Sequence, residues 1–463
     1  MKILQFVYNA VWGVPTLILI LGVGLYLSLR TGFAQVRILP KAMRCFCRRL
    51  VGSKENTKGV SSFQALCTAL AATVGTGNLA GVAGAIAIGG PGSIFWMWVC
   101  GILGMILKFA EATLAVHYRE KNGSGEYVGG PMYMIRLGLP KSLHPLAGIY
   151  AFFGLVAAFG VGNATQINTV ISGAADTLAQ FGYGLPQWGK LFLGCFLSAL
   201  IGAMLLGGAK RIGTVAERLV PFAAGSYLLL GLAVLLLRWQ YIGEAFVAIL
   251  KGAFSPAAAT GGMVGSAVIA LRTGISRGIF TNEAGMGTAS IAHSGAEVAH
   301  PVEQGMMGLV EVFLDTIVIC TVTALVILCS GVTVSYGFDV GIRLTTEAFC
   351  AVLGPWVSVV ITLSLCLFAI ATVLGWGLYG SRCAQYLFGD GAWKPFVYLQ
   401  LIVVLLSALA GADRIWLLAE ILNGLMAIPN LIALWALTPT LIHLYKSYLN
   451  GGNYENFHQC QSL

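Results

Sequence analysis

Six ionisable side chains interrupt long apolar runs of this sequence: Lys108, Glu111, Asp176, Lys251, Glu311 and Asp315. A charge inside hydrocarbon is costly and marks a functional or paired position. Lys108 and Glu111 are three residues apart and read as an ion pair at the end of a helix. Glu311 and Asp315, four apart, repel unless a cation or a basic residue intervenes. Arg or Lys from the 272–303 segment would turn them into a gate. Glu283, in the polar stretch TNEAGMG at 281–287, is a candidate partner for Arg272 or Arg277. Amides cluster as well, in GNATQINTV. Gln166 shares a helix face with Asn163, and Asn168 follows. An amide both donates and accepts, which suits a neutral zwitterion, although it also serves as glue between helices. Thr372 and Trp376 lie four apart on one face. Their ordinary readings are back-bonding within the helix and an interfacial aromatic.

Covalent chemistry finds no support in these residues. The six histidines (117, 144, 293, 300, 443 and 458) fall at the ends of apolar runs or between them. No nucleophile–base set converges, and neither H-E-x-x-H nor a Walker A loop is present. Of the eleven cysteines only Cys45 and Cys47 are close, and C-x-C alone is not a metal pattern. The chain reads as a binder of small solutes and not as an enzyme.

The elements that must position these residues follow from composition. Of 463 residues 57% are hydrophobic and 10% charged, with mean hydropathy +0.83. Soluble chains carry about 45–50% and about 25% respectively. That excludes a soluble enzyme, a disordered chain and a nucleic-acid binder, and the long unbroken apolar runs exclude a transmembrane barrel. The fold class is an all-α integral membrane protein. Apolar runs predict eleven transmembrane helices, over 8–29, 61–90, 93–118, 146–180, 188–207, 213–237, 242–272, 304–330, 346–386, 395–412 and 415–443. Alternate connecting segments hold nineteen Lys and Arg against four on the other side. Basic residues collect in cytoplasmic loops, so the N-terminus is expected outside and the C-terminus in the cytoplasm. The segment 34–50, AQVRILPKAMRCFCRRL, is expected to lie along the inner leaflet, in contact with membrane lipid.

Set the first helix aside and ten remain, five and five. The expected organisation is therefore 1–60, an extra N-terminal helix and basic cytoplasmic loop; 61–240, a first inverted repeat; 241–445, a second inverted repeat; and 446–463, a cytoplasmic tail. In both halves the first helix carries a glycine-rich interruption: VGTGN at 74–78, and a stretch around Thr260, Gly261 and Gly262 after Phe254. The third helix of each half is overlong. Thirty-five residues at about 1.5 Å each reach roughly 52 Å, against a core of about 30 Å, so each must tilt, break or run on. A broken helix in hydrocarbon leaves backbone groups that something polar must satisfy. Paired breaks in inverted halves point to a secondary transporter's binding site. A zwitterionic amino acid fits both kinds of half-helix end, and a cation can take further carbonyls.

The stretch Ser61–Tyr118, SSFQALCTALAATVGTGNLAGVAGAIAIGGPGSIFWMWVCGILGMILKFAEATLAVHY, resembles the signature of the alanine or glycine:cation symporter family of the amino acid–polyamine–cation superfamily. So does RTGISRGIFTNEAGMGTASIAHSGA at 272–296, where Ala289–Ser290 replaces a common Ala-Pro. The resemblance implies a five-plus-five inverted repeat and uptake of alanine or glycine with sodium. Proton coupling or a glutamine substrate is the alternative, an amino-acid channel a lesser one. It implies that Gly75, Thr76, Gly77, Asn78, Thr372 and Trp376 contact substrate, to which the amide chemistry adds Gln166 and the second expected interruption adds Phe254 and Gly261. It also implies that Ala71, Val74, Asn78 and Thr372 hold sodium, a co-transported ligand and not a cofactor. Alanine or glycine, sodium and lipid are the expected partners, with no nucleic acid and no obligatory protein. The expected location is a bacterial or archaeal inner membrane.

Overall fold

The computed structural model describes residues 11–51, 59–180, 182–255, 266–338, 341–409 and 413–451, with Val7 and Tyr454. It is almost wholly helical. Helix α1 (Val14–Arg30) leads through a short turn to α2 (Leu39–Val51). Next come α3 (Ser62–Thr73) and α4 (Val82–Gly89), joined by a π-helical turn at Gly77–Gly81, and then α5 (Ser93–His117). A two-stranded ribbon, β1 (Glu120–Lys121) antiparallel to β2 (Tyr127–Val128), precedes α6 (Pro131–Gly138). Helices α7 (Pro145–Phe159) and α8 (Thr165–Gln180) flank a second π turn, Gly160–Ala164. Then follow α9 (Gln187–Leu205), α10 (Gly208–Leu237) and α11 (Ile242–Phe254). Helices α12 (Ala267–Asn282) and α13 (Thr288–Ser294) are separated by five residues. A third π stretch, Phe313–Ile319, joins α14 (Pro301–Val312) to α15 (Cys320–Cys329). The last helices are α16 (Arg343–Leu353), α17 (Val357–Phe388), α18 (Trp393–Leu409), α19 (Asp413–Ala436) and α20 (Thr438–Leu449).

Among the described residues seven helices are long and apolar enough to cross a membrane, or nine if each of two bent pairs counts as one. Helices α5, α14–α15 and α17 form the buried centre, while α9, α10 and α18 are mostly exposed. Their outward faces carry Phe192, Phe196, Leu229, Leu236, Ile402 and Leu406, a surface suited to lipid and not to water.

Local chemistry explains the boundaries that matter. Ser61 and Gln64 form a reciprocal capping box at the start of α3, which satisfies two orphan donors. Helix α3 stops where Val74 turns extended, and α4 departs bent by 50°. Ser266 caps α12, and Pro301 occupies the first turn of α14, where its missing N–H costs nothing.

Several expected spans are redrawn. The helix expected over 346–386 is two helices, divided at Gly354, whose φ of 94° no L-residue adopts easily. The helix over 146–180 is overlong as expected and continuous, with a π turn at Gly160–Ala164 in its course. The last span kinks by 59° between α19 and α20. The largest correction concerns 242–272. Helix α11 packs against the start of α5: a Cβ added to Gly92 would stand 2.0 Å from the Gly252 backbone. Helix α12 then runs beside α4 and α5, with Gly274 against Ser93 and Gly278 against Cys100. It continues through 283–287 into α13. At the far end Glu297 N–H donates to Val60 O, 2.9 Å, and the Arg119 guanidinium donates to Ser294 O and Ala296 O. The interrupted helix is therefore α12–α13, antiparallel to α3–α4. Arg272 and Arg277 sit on α12 and not in a loop. The expected interruption at Thr260, Gly261 and Gly262 lies outside the described residues.

Candidate functional site

The two interruptions meet in the buried centre. A Cβ on Gly77, just past the first, would lie 3.1 Å from Thr281 Cγ2, just before the second. The second interruption is held by backbone that favours glycine: φ is 51° at Glu283, 89° at Gly285 and 78° at Gly287. Its polar groups are satisfied from inside. Asn282 Oδ1 accepts from Ala284 N–H at 2.9 Å. Glu111 Oε1, from α5, accepts from the N–H groups of Gly285 (2.9 Å) and Gly287 (3.1 Å). Tyr150 OH, from α7, donates to Met286 O at 3.1 Å. A stretch that looks like a polar loop is thus a wrapped, buried turn.

The first interruption closes on itself and on α14–α15. Gly75 N–H donates to Asn78 Oδ1 at 2.8 Å. Asn78 Nδ2 donates to Asp315 Oδ1 at 2.6 Å, and Thr316 Oγ1 donates to Asp315 Oδ2 at 2.8 Å. Asn282 Nδ2 donates to Thr316 Oγ1 at 3.1 Å. One carboxylate, Asp315, therefore links the asparagines of both broken helices. It sits in the third π stretch, a device that recurs at functional positions.

Most of the expected site residues converge here. A Cβ on Gly75 would stand 3.0 Å from Thr372 Oγ1, and Gly375 packs against Ala72 beside Ala71 and Val74. Thr76 Oγ1 lies 3.5 Å from Gln166 Oε1. Gly162, in the second π turn, admits the Trp376 side chain so closely that an added Cβ would be 2.2 Å from Trp376 Cβ. Trp376 is fully buried and donates from Nε1 to Glu283 Oε1 at 3.2 Å, so it is no interfacial aromatic. Thr372 does back-bond, to Phe368 O at 3.0 Å, while facing Gly75. Phe254 does not join them. It is 64% exposed and meets the Phe95 and Trp96 rings at a steep tilt, beside the start of α5. Gly261 lies outside the described residues. Asn163 turns away, donating to Gln400 O at 2.9 Å.

The expected charge pairs are replaced by others. Lys108 pairs with Glu311 at 3.1 Å, both side chains fully buried, and not with Glu111. Glu311 Oε2 also meets His293 Nε2 at 3.0 Å, and His293 Nδ1 meets Gln304, which accepts from Ser62 Oγ. This chain of contacts ties the foot of α3 and, through His293, α13 to α5 and α14. Glu283 bonds Thr288 Oγ1 and Trp376 and neither arginine. The Asp176 side chain lies outside the described residues. Sequence reasoning gave Glu283 the wrong partner and missed the Asn78–Asp315 contact. The signal available was the pair of glycines that follows Glu283, as glycines flank the first interruption.

A cavity of about 600 Å³ opens between α3, α13 and α17, reached by Thr68, Ile291, Ala292 and Leu378 and ringed by Arg119, Lys210 and Arg382. It lies at the end of the bundle where Val60 meets Glu297, with the π turns and both interruptions beyond it.

The sequence profile of the Sodium:alanine symporter family matches residues 1–459. Sodium/alanine symporter AgcS of Methanococcus maripaludis is 42% identical over 96% of this chain and 97% of its own length. The probable sodium/glutamine symporter GlnT of Bacillus subtilis is 35% identical over 95% and 89%. In fold the chain is similar to the crystal structure of MhsT in complex with L-phenylalanine, with a TM-score of 0.58 at 15% identity, covering 84% of this chain and 100% of that one. Apolar helices around a closed polar centre, joined to a match along nearly the whole sequence, make this a multi-pass membrane transporter that belongs to the sodium:alanine symporter family.

Proposed function

We propose that this protein imports a small neutral amino acid, alanine or glycine, together with sodium, by alternating access. The observation that carries the reading is the meeting of two helix interruptions beside Thr372, Trp376 and Gln166. Half-helix ends concentrate partial charge of both signs, which matches the two ends of a zwitterion. The substrate carboxylate accepts from the backbone N–H groups at Thr76 and Gly77, where α4 begins its rise. Gln166 meets the polar end of the substrate, and the Trp376 ring closes the pocket against long side chains. One sodium lies against the Ala71 and Val74 carbonyls and Thr372. A second lies by Asn78, where Asp315 supplies a negative charge that the amino acid alone does not.

Eleven spans follow in this reading: α1, then α3–α4, α5, α7–α8, α9 and α10, then α12–α13, α14–α15, α17, α18 and α19. The last ten form the two inverted halves. The end ringed by Arg119, Lys210 and Arg382 faces the cytoplasm, and the cavity there is the release path. Sodium entry supplies about 2.3 kcal/mol per charge per 100 mV, plus its concentration gradient. The test is radiolabelled alanine uptake into proteoliposomes, with an inward sodium gradient and then with potassium alone. Concentrative uptake that needs sodium and is competed by glycine supports the reading. Uptake that ignores sodium, or competition by glutamine in place of glycine, overturns the sodium or the substrate assignment.

A further inference from the structure

Four carboxylates are buried in the centre among the described residues: Glu111, Glu283, Glu311 and Asp315. Glu311 takes both nearby basic side chains, Lys108 and His293. The other three have no basic partner within ion-pair distance. An ionised carboxylate so placed is costly unless hydrogen bonds or a cation compensate it. Glu283 and Asp315 are compensated at both oxygens, by Trp376 and Thr288 and by Asn78 and Thr316. Glu111 differs. Its Oε1 accepts three N–H bonds, from Gly285, Gly287 and Asn430 Nδ2 at 2.7 Å, while its Oε2 has no partner. The second bare atom of this corner is an acceptor too: Asn430 Oδ1, on the same amide that donates to Oε1. Gly287 makes room for it, since a Cβ there would sit 2.7 Å from that oxygen.

Two bare acceptors on two groups already joined by one hydrogen bond are what a carboxylic acid and an amide present when the proton between them is left out. We propose that Glu111 binds a proton on Oε2 and forms a cyclic acid–amide pair with Asn430. Asn430 Nδ2–H donates to Oε1, and the new Oε2–H bond directs its hydrogen to Oδ1. The proton comes from water, and the carboxylate charge goes from −1 to 0. Both orphaned atoms are then satisfied. The paired unit clips α5, the second interruption and α19 together, since Asn430 also donates to Gly285 O at 2.8 Å. The titratable and charged groups around it are Lys108 from α5, Glu283 from the interruption, His293 from α13, Glu311 from α14, Tyr150 from α7 and Tyr379 from α17.

The inference is independent of the transported solute and is tested on the resting protein. Infrared spectra of the reconstituted protein, compared with Glu111→Gln, should show the carbonyl stretch of a protonated carboxylic acid that the variant lacks and that shifts in heavy water. Gln reproduces the neutral pair, its amide donating where the acid does. Glu111→Gln should therefore melt at the wild-type temperature, and Glu111→Ala lower. Asn430→Leu keeps the acid but removes its partner, so the band should persist at higher frequency. Uptake by the wild type should fall at alkaline pH and stay flat in Glu111→Gln. A spectrum with no such band, or a band present in potassium and abolished by sodium, overturns the proposal. So does a Glu111→Gln protein as unstable as Glu111→Ala.

Discussion

Replacing Lys108 by Met should be among the most damaging single changes in the buried centre, and its cost can be worked from one distance. Lys108 Nζ lies 3.1 Å from Glu311 Oε1, with neither side chain exposed. At that separation and an effective dielectric of about 20, the attraction is about 5 kcal/mol. Methionine keeps the length of the side chain and removes the charge. Glu311 is left buried with His293 and the Thr73 hydroxyl at 3.5 Å as its remaining partners. Breaking one side of a buried pair costs about 3–5 kcal/mol. That is roughly two to three and a half powers of ten in the folded-to-unfolded ratio. The assay is reversible unfolding in mixed micelles, followed by the fluorescence of the ten tryptophans. Adding Glu311→Gln should restore most of the loss, because no uncompensated charge then remains. A single variant that costs less than about 1 kcal/mol, the value of an exposed pair, would refute the reasoning. A double variant no better than the single would do so as well.

Three further outcomes follow from the site. Trp376→Phe removes the donor to Glu283 Oε1 at 3.2 Å, and a hydrogen bond to a charged group contributes about 1.5–3 kcal/mol; uptake kinetics should show at least a tenfold loss of kcat/KM. Asp315→Asn should raise the sodium concentration for half-maximal uptake about tenfold while sparing alanine KM at saturating sodium, since roughly 1.4 kcal/mol of charge interaction is lost; an unchanged sodium dependence would remove Asp315 from the cation site. Gly92→Ala places a Cβ 2.0 Å from the Gly252 backbone, so size-exclusion chromatography should show aggregated protein and no normal uptake.

The class of fold and the first interruption were legible because both are written locally. Long apolar runs with 10% charge leave little but helices in lipid, and the two glycines of VGTGN weaken a helix at that point. Gln166 was legible because an amide is out of place in apolar surroundings, whereas Thr372 and Trp376 were drawn to the site by the family resemblance and not by their residue types. The second interruption was misplaced for the opposite reason. TNEAGMG is polar, and polar sequence between apolar runs reads as a loop in water. Its polarity is answered by Thr288 across the turn and by Trp376, Asn430 and Glu111, which lie 93, 145 and 174 positions from the residues they bond, and no local pattern announces them. Lys108 was assigned to Glu111 on the strength of helical spacing. Its partner is Glu311, about two hundred residues on, because burial selects a partner by three-dimensional packing and not by position on the same helix. Phe254 was drawn into the site only by the misplacement of the helix that carries it.

The π turns at Gly77–Gly81, Gly160–Ala164 and Phe313–Ile319 bear on how this chain tolerates change in length. Each holds one residue more than an ordinary helical path requires. Excising that residue would restore a regular helix at no loss of backbone bonding, and would rotate everything beyond it by about 100°. Beyond Phe313–Ile319 the rotation would carry Thr323 off the Tyr227 hydroxyl, 2.7 Å away, and turn Cys320 from Asn78. Beyond Gly160–Ala164 it would swing Gln166 away from Thr76. A genetic screen that scores one-codon deletions should therefore find these three short windows, of five to seven residues, as intolerant as the charged positions themselves, although they consist mostly of small or apolar residues.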